Sequence, residues 1–268
     1  MYLIWIDRKL RYVKMTIQVL VATMNQKDYS LPKKMNIKCD AIIGNQCDYN
    51  SIEEIDFDNH KIKYLNFAER GVGLNRNNAL MRAEADICLF ADDDMVYCDE
   101  YVEVVEEAFK VHPDADVIAF NLVEKVPHRY TIKEDHKISL YNFMRYGTAR
   151  IAVKLSSIRK KGILFDLNFG GGTMHSHGED TIFLSDCMRK GLKMYAVPSY
   201  IAVLTEERES TWNRGYSDKF FYDQGCLYKR ISPLLWKLLC LQDAIRHYDV
   251  YNQSIVSAYM KMTRDEIF

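Results

Sequence analysis

No CxxC pair occurs among the seven cysteines, which are scattered and odd in number. That spacing speaks against a disulfide framework and a zinc ribbon, and it fits reduced thiols in a cytosolic protein. Charge of one sign is not in excess: 36 basic residues face 37 acidic ones. No global field therefore draws the chain to nucleic acid or to an anionic membrane. No apolar run approaches the ~20 residues needed to span a bilayer. The first run, Tyr2 to Ile6, is too short for a secretory signal and meets Asp7-Arg8 at once. Internal repeats and low-complexity tracts are absent. So is a P-loop: Gly71-Val72-Gly73 heads a helical stretch, but no Gly-Lys-Ser/Thr follows.

What is present is a large apolar fraction, 48%, ample for the core of one large domain or of a core with a helical extension. The central feature is Ile87-Cys88-Leu89-Phe90-Ala91 followed by Asp92-Asp93-Asp94. Five consecutive apolar residues read as a strand buried on both faces. The three carboxylates then stand where the strand leaves the sheet, the place where open α/β sheets bind ligands. Adjacent ionised carboxylates repel one another, and a hard divalent cation that also holds phosphates would neutralise them. A solvated acidic turn, or Asp94 or Asp99 capping the next helix, is the plainer alternative.

Around that stretch the pattern alternates. Ile17 to Ala22, Asp40 to Gly44, Ile62 to Asn66, Asp116 to Val123, Thr148 to Val153, Leu192 to Val197 and Tyr200 to Leu204 read as strands, the last two separated by Pro198. A helix with Leu74, Asn78, Met81 and Ala85 on its face follows the GxG turn, and Asp99 to Val111 forms another, closed by Pro113. A third runs from Gly178-Glu179-Asp180 to Lys190, with Phe183, Leu184, Cys187 and Met188 on its apolar face. From Ser217 the chain reads as helical to its end. Leu234 to Leu241 is either core or a surface helix, and inward packing is the expectation for such a stripe. His175 and His177 alternate in a glycine-rich loop, where they could face a substrate or a metal, with solvent exposure expected. Trp212, Tyr216, Phe220 and Phe221 are expected in the core, although such rings also stack on sugars.

The order of these motifs resembles family 2 glycosyltransferases over residues 16–205: a strand ending in Ala22-Thr23, Arg76-Asn77 in a helix after a glycine turn, Ala91-Asp92-Asp93-Asp94, and Gly178-Glu179-Asp180. Thr211-Trp212 resembles bacterial members. The resemblance implies an α/β GT-A (Rossmann-like) fold with a mostly parallel mixed sheet flanked by helices. It implies a lead-in at 1–15, a catalytic domain at 16–205 and a helical C-terminal extension at 206–268. The implied function is metal-dependent, inverting transfer of one sugar from a nucleotide-diphosphate-sugar, a UDP-sugar by preference, to a glycan or lipid-linked acceptor in bacterial polysaccharide or glycoconjugate synthesis.

The resemblance puts Ala22, Thr23, Asn25 and Asn45 at the nucleoside, and Arg76, Asp92, Asp93 and Glu179 at the donor. It makes Asp94 and Asp92 ligands of Mn²⁺ or Mg²⁺, and Asp180 the base. Glu206 stands where many GT-A enzymes have a late histidine and is the candidate to complete the metal site. Two departures stand out: Gly44-Asn45-Gln46-Cys47-Asp48 replaces the usual consecutive acids followed by Gly-Ser, and QxxRW is absent, which favours single-sugar transfer. The expected location is cytoplasmic, with possible membrane contact through the C-terminal helices. A non-catalytic nucleotide- or glycan-binding module and a sugar nucleotidyltransferase are the competing classes. The second would need a basic glycine-rich loop after the first strand, where Thr23-Met24-Asn25-Gln26 stands instead.

Overall fold

The strand that precedes the acidic triplet lies at the middle of a mixed sheet, and Ile87 to Ala91 are all buried. The computed structural model describes residues 15–125, 129–205 and 215–264. Ten strands are found among them: β1 (Ile17–Met24), β2 (Asp40–Gln46), β3 (Ser51–Phe57), β4 (His60–Phe67), β5 (Ile87–Asp92), β6 (Met95–Tyr97), β7 (Val117–Val123), β8 (His136–Lys137), β9 (Ile151–Lys154) and β10 (Met194–Leu204). Their order is β3-β4-β2-β1-β5-β9-β7-β10-β6, with β8 pairing β10. β4, β2, β1 and β5 are mutually parallel, whereas β9 runs antiparallel to both β5 and β7.

Nine helices accompany the sheet in the described residues: α1 (Leu31–Lys34), α2 (Val72–Arg82), α3 (Tyr101–Val111), α4 (Leu155–Lys161), α5 (Glu179–Arg189), α6 (Asp218–Ile231), α7 (Trp236–Arg246), α8 (Tyr248–Tyr251) and α9 (Ile255–Thr263). The strand period of two divides the core. Leu20, Ile42, Leu65 and Phe90 face α2, α4, α5 and α6, while Val19, Val21, Ile43 and Leu89 face α1 and α3. Each large side chain buried in this way contributes about 1.5–3 kcal/mol. Phe221, Leu227, Cys240, Ala244 and Met262 continue the first of these cores into the C-terminal helices. Gly225 brings α6 and α9 into backbone contact, since a Cβ there would stand 1.8 Å from the Met262 carbonyl oxygen. No helix among the described residues is long and apolar enough to cross a membrane.

Several expectations need correction. The two strands expected on either side of Pro198 are one strand, β10, whose pairing with β7 shifts register between Ala196 and Tyr200. β3 was not expected. It is an edge strand with alternating exposure, and Glu53, Glu54 and Asp56 mask its strand character. The inward face of α2 is not Leu74, Asn78 and Met81: Met81 is exposed, and Asn75, Arg76, Ala79 and Leu80 are buried. That helix begins above the carboxylates, so its inward face is polar there. Leu234 to Leu241 is corrected as well, because Leu234, Leu235, Leu238 and Leu241 are all exposed. The side of α7 that packs is formed by Cys240, Asp243 and Ala244.

Candidate active site

Four elements converge at the carboxyl end of the parallel strands. β5 ends in Asp92, the turn after it carries Asp93 and Asp94, β1 delivers Thr23, α2 delivers Arg76, and α5 opens with Glu179 and Asp180. The two acidic clusters, far apart in sequence, meet on one guanidinium. Arg76 Nη2 donates to Asp92 Oδ1 at 2.8 Å, and its Nη1 donates to Glu179 Oε1 at 3.0 Å and to Asp180 Oδ1 at 3.1 Å. Its charge lies against the Phe165 ring, 5.5 Å from the centroid.

One buried cation among three carboxylates leaves the cluster short of positive charge. Burial works against the Arg76 charge, but Asp92, Asp180 and Glu179 outweigh it and hold the guanidinium protonated. Glu179 is pushed well above the ordinary carboxylate range, first by burial and then by the neighbouring Asp180 charge. The Asp180 side chain keeps 31% exposure and Asp92 40%, against 7% for Glu179. Solvent, and hence a ligand, reaches the outer two carboxylates.

Thr148 braces Asp180. Its backbone N–H donates to Oδ2 at 3.0 Å and its hydroxyl donates to Oδ1. Gly147 lets this turn approach, since a Cβ there would lie 3.2 Å from Asp180 Oδ2. On the other side, Thr23 donates to Asp93 at 2.5 Å, and Gln26 Nε2 donates to Thr23 Oγ1 at 2.9 Å. Asp94 receives no side-chain donor from the described residues. Its carboxyl is held up by burial and by the charges of Asp92 and Asp93. The Thr205 N–H and hydroxyl donate to the Asp94 carbonyl, so the chain leaving β10 returns to this turn.

Ala22 is buried in β1, and exposed Asn25 takes a left-handed turn with φ 55° while its N–H donates to the Gln46 carbonyl. Asn45 is fully buried, and its amide is spent on the Gln26 backbone and on Asn66 Oδ1. It braces the strand end. The Gly71 turn uses its donors internally, with Gly71 N–H on Gln46 Oε1 and Val72 N–H on the Gly171 carbonyl. Among the described residues no group of three or more His, Cys, Asp or Glu side chains is gathered to hold a metal.

The profile of the family described as Glycosyl transferase family 2 matches residues 48–166. That stretch, a little under half of the chain, is similar to family 2 glycosyltransferases. The fold of the chain is GT-A, like that of S. aureus TarS residues 1–349 in complex with UDP-GlcNAc: TM-score 0.63, 15% identity, 93% of this chain and 76% of that one covered. The same TarS fragment in complex with UDP gives TM-score 0.61 at 15% identity, with 88% and 72% covered. For S. aureus TarS in a third structure the TM-score is 0.60 at 15% identity, with 95% and 57% covered. No curated protein matches the chain.

The matched stretch includes Arg76 and Asp92 to Asp94, but neither Thr23 nor Glu179 and Asp180. Those join the site through folding. Thr148 and Gln26 went unrecognised in the sequence because a single threonine at a strand start and a glutamine in a polar turn carry no periodic signal. The expectation of exposed loop histidines is corrected. His175 Nδ1 meets Asp223 Oδ1 at 3.0 Å, and His177 Nε2 meets Gln224 Oε1 at 2.7 Å and stacks on Phe220. Burial lowers the pKa of His177. With Ser176, which bonds Asp223 through its N–H and hydroxyl, they fasten the glycine-rich loop to α6, just ahead of Asp180. Phe221 is in the core, with Tyr216 and Phe220 packed beside it. Residues 1–14, Glu206, Thr211 and Trp212 lie outside the described residues.

Proposed function

We propose that the protein transfers one sugar from a nucleoside-diphosphate donor to a hydroxyl acceptor with inversion at the anomeric carbon. The single observation that carries this reading is Arg76, which ties Asp92 on the donor side to Asp180 on the acceptor side. A UDP-sugar is the preferred donor, supported by the likeness to a TarS structure in complex with UDP-GlcNAc. The acceptor is the hydroxyl of a glycan or of a lipid-linked saccharide in bacterial polysaccharide or glycoconjugate synthesis, acted on at the cytoplasmic side. Residues 16–205 form the catalytic unit and 206–268 its C-terminal extension.

The nucleoside end rests on the rim formed by Ala22, Thr23, Asn25 and the Asn45-braced end of β2. Asp92 and Asp93 face ribose and diphosphate, with Asp93 oriented by Thr23 and Gln26. The donor set fits a hard divalent cation, Mn²⁺ or Mg²⁺. Asp94 is a partly buried carboxylate beside Asp92 with no side-chain donor among the described residues, and such ions take one or two carboxylates and complete their shell with phosphate oxygens. When bound, that ion supplies positive charge to the departing diphosphate.

Asp180 accepts the proton of the acceptor hydroxyl as its oxygen attacks the anomeric carbon from the face opposite the diphosphate. Thr148 and Arg76 fix the direction of that carboxylate, and its remaining exposure admits the acceptor. Glu179, buried beneath, backs Arg76 rather than meeting substrate. Backside attack inverts the centre with no covalent intermediate. A thermal-shift panel of UDP-, GDP-, CDP- and dTDP-sugars, each with and without Mn²⁺, tests this directly. Metal-dependent stabilisation by one nucleotide class is expected. No response to any donor, with or without Mn²⁺, would overturn it.

A further inference from the structure

The outward face of α7 is apolar, and no other part of the described chain covers it. Leu234 is 96% exposed, Leu238 63%, Leu241 39% and Ile245 57%. Leu238, Leu241 and Ile245 stand at i, i+3 and i+7, one stripe of the helix, and Leu234 and Leu235 extend it into the preceding turn. The opposite side of α7 is already used, with Cys240, Asp243 and Ala244 buried in the core. These leucines therefore have no inward alternative, and Tyr248 and Val250 prolong the exposed patch. A contiguous apolar face of this kind marks an interaction surface.

Charge identifies the occupant. Lys237 and Arg246 are exposed on either side of the stripe. The ammonium groups of Lys229 and Lys237 lie 5.6 and 5.5 Å from the centre of the half-buried Trp236 ring. Asp243 is withdrawn from the surface by bonds to His247 and Tyr251, leaving Asp249 as the exposed acid of this stretch. Leucines flanked by basic residues and a tryptophan have the composition of a helix that lies in a lipid interface. A second copy of the chain docked about a two-fold axis would bring Lys237 and Arg246 against the same cations of its partner.

We propose that α7 seats the protein on an anionic lipid surface, its leucines entering the acyl boundary and Lys229, Lys237 and Arg246 meeting the headgroups. This reading does not depend on the reaction, and its test reads no turnover. The full chain is pelleted with vesicles of phosphatidylcholine alone and with an equal mixture of phosphatidylcholine and phosphatidylglycerol. Binding to the mixed vesicles is expected, weakened roughly tenfold or more in a Leu238→Ser/Ile245→Ser variant. A Lys237→Glu/Arg246→Glu variant should lose the preference for the mixed vesicles. All four positions are exposed, so both variants should retain the wild-type circular-dichroism melt. Equal pelleting of wild type and the serine variant would overturn the proposal. So would a lipid-free dimer in sedimentation velocity that the serine substitutions dissociate.

Discussion

Thr148 holds Asp180 through both oxygens, its N–H on Oδ2 and its hydroxyl on Oδ1. A base that must meet an incoming hydroxyl loses rate when its direction is free, even if its charge is kept. Thr148→Val removes one of these donors without changing the shape of the turn. We expect kcat to fall roughly 10- to 100-fold, a part of the full contribution of a general base, with donor KM nearly unchanged. Thr148→Ser should restore most of the rate. Steady-state kinetics on the pair decides it, and equal losses in both variants would reduce Thr148 to packing.

Substituting the base itself separates binding from chemistry. Asp180→Asn keeps an acceptor for Thr148 but cannot take a proton, so transfer should drop by about 10²–10⁴ while the donor still raises the melting temperature. Asp94→Ala should do the reverse at the binding step, removing the Mn²⁺-dependent part of that thermal shift. Full activity of Asp180→Asn would sink the base assignment.

Arg76 has a structural duty that calorimetry or urea titration can read. Replacing it with methionine leaves Asp92, Glu179 and Asp180 without their shared cation. Loss of one member of a buried ionic cluster typically costs about 3–5 kcal/mol. Water at Asp92 and Asp180 screens part of this, so roughly 3 kcal/mol is expected in urea denaturation. Adding Glu179→Gln to Arg76→Met should recover a measurable share only at alkaline pH, where Glu179 would otherwise carry the most deeply buried of the three charges.

Glu179 also predicts a pH dependence. Its ordinary value is 4.5, and burial next to Asp180 raises it to about 8 in the folded protein. Between those values the unfolded chain has released this proton while the folded chain still holds it. Folding therefore weakens as pH rises through that window, by up to about 1.4 kcal/mol per pH unit from this one group. Stability curves of wild type and Glu179→Gln, measured by urea titration from pH 5 to pH 8 (roughly the window set by linkage), should diverge with that sign. Parallel curves would mean that Glu179 is ionised in the native state.

The sheet was largely legible before folding was considered. Ile17 to Ala22 and Ile87 to Ala91 announce buried parallel strands because apolar runs of that length have few other uses. Positions governed by neighbours rather than by period were not legible. β3 hides behind its acidic residues, β10 passes through Pro198 with a register shift, and the inward face of α2 is set by the carboxylates beneath it. The histidines of the glycine-rich loop were expected in solvent because nothing local reveals that Asp223 and Gln224 wait for them on α6.

By itself the sequence determined which chemical groups are available and in which order: an acidic triplet at a strand end, an arginine after a glycine turn, a Glu-Asp pair at a helix start. Side-chain identity and short-range periodicity are local properties, and they survive in a string of letters. Only the tertiary structure decided that Arg76 joins the two acidic clusters, that Thr148 is the brace of Asp180, and that the leucines of α7 face outward. Each of these depends on which surfaces meet across long sequence separations, and that is settled by packing the whole chain at once.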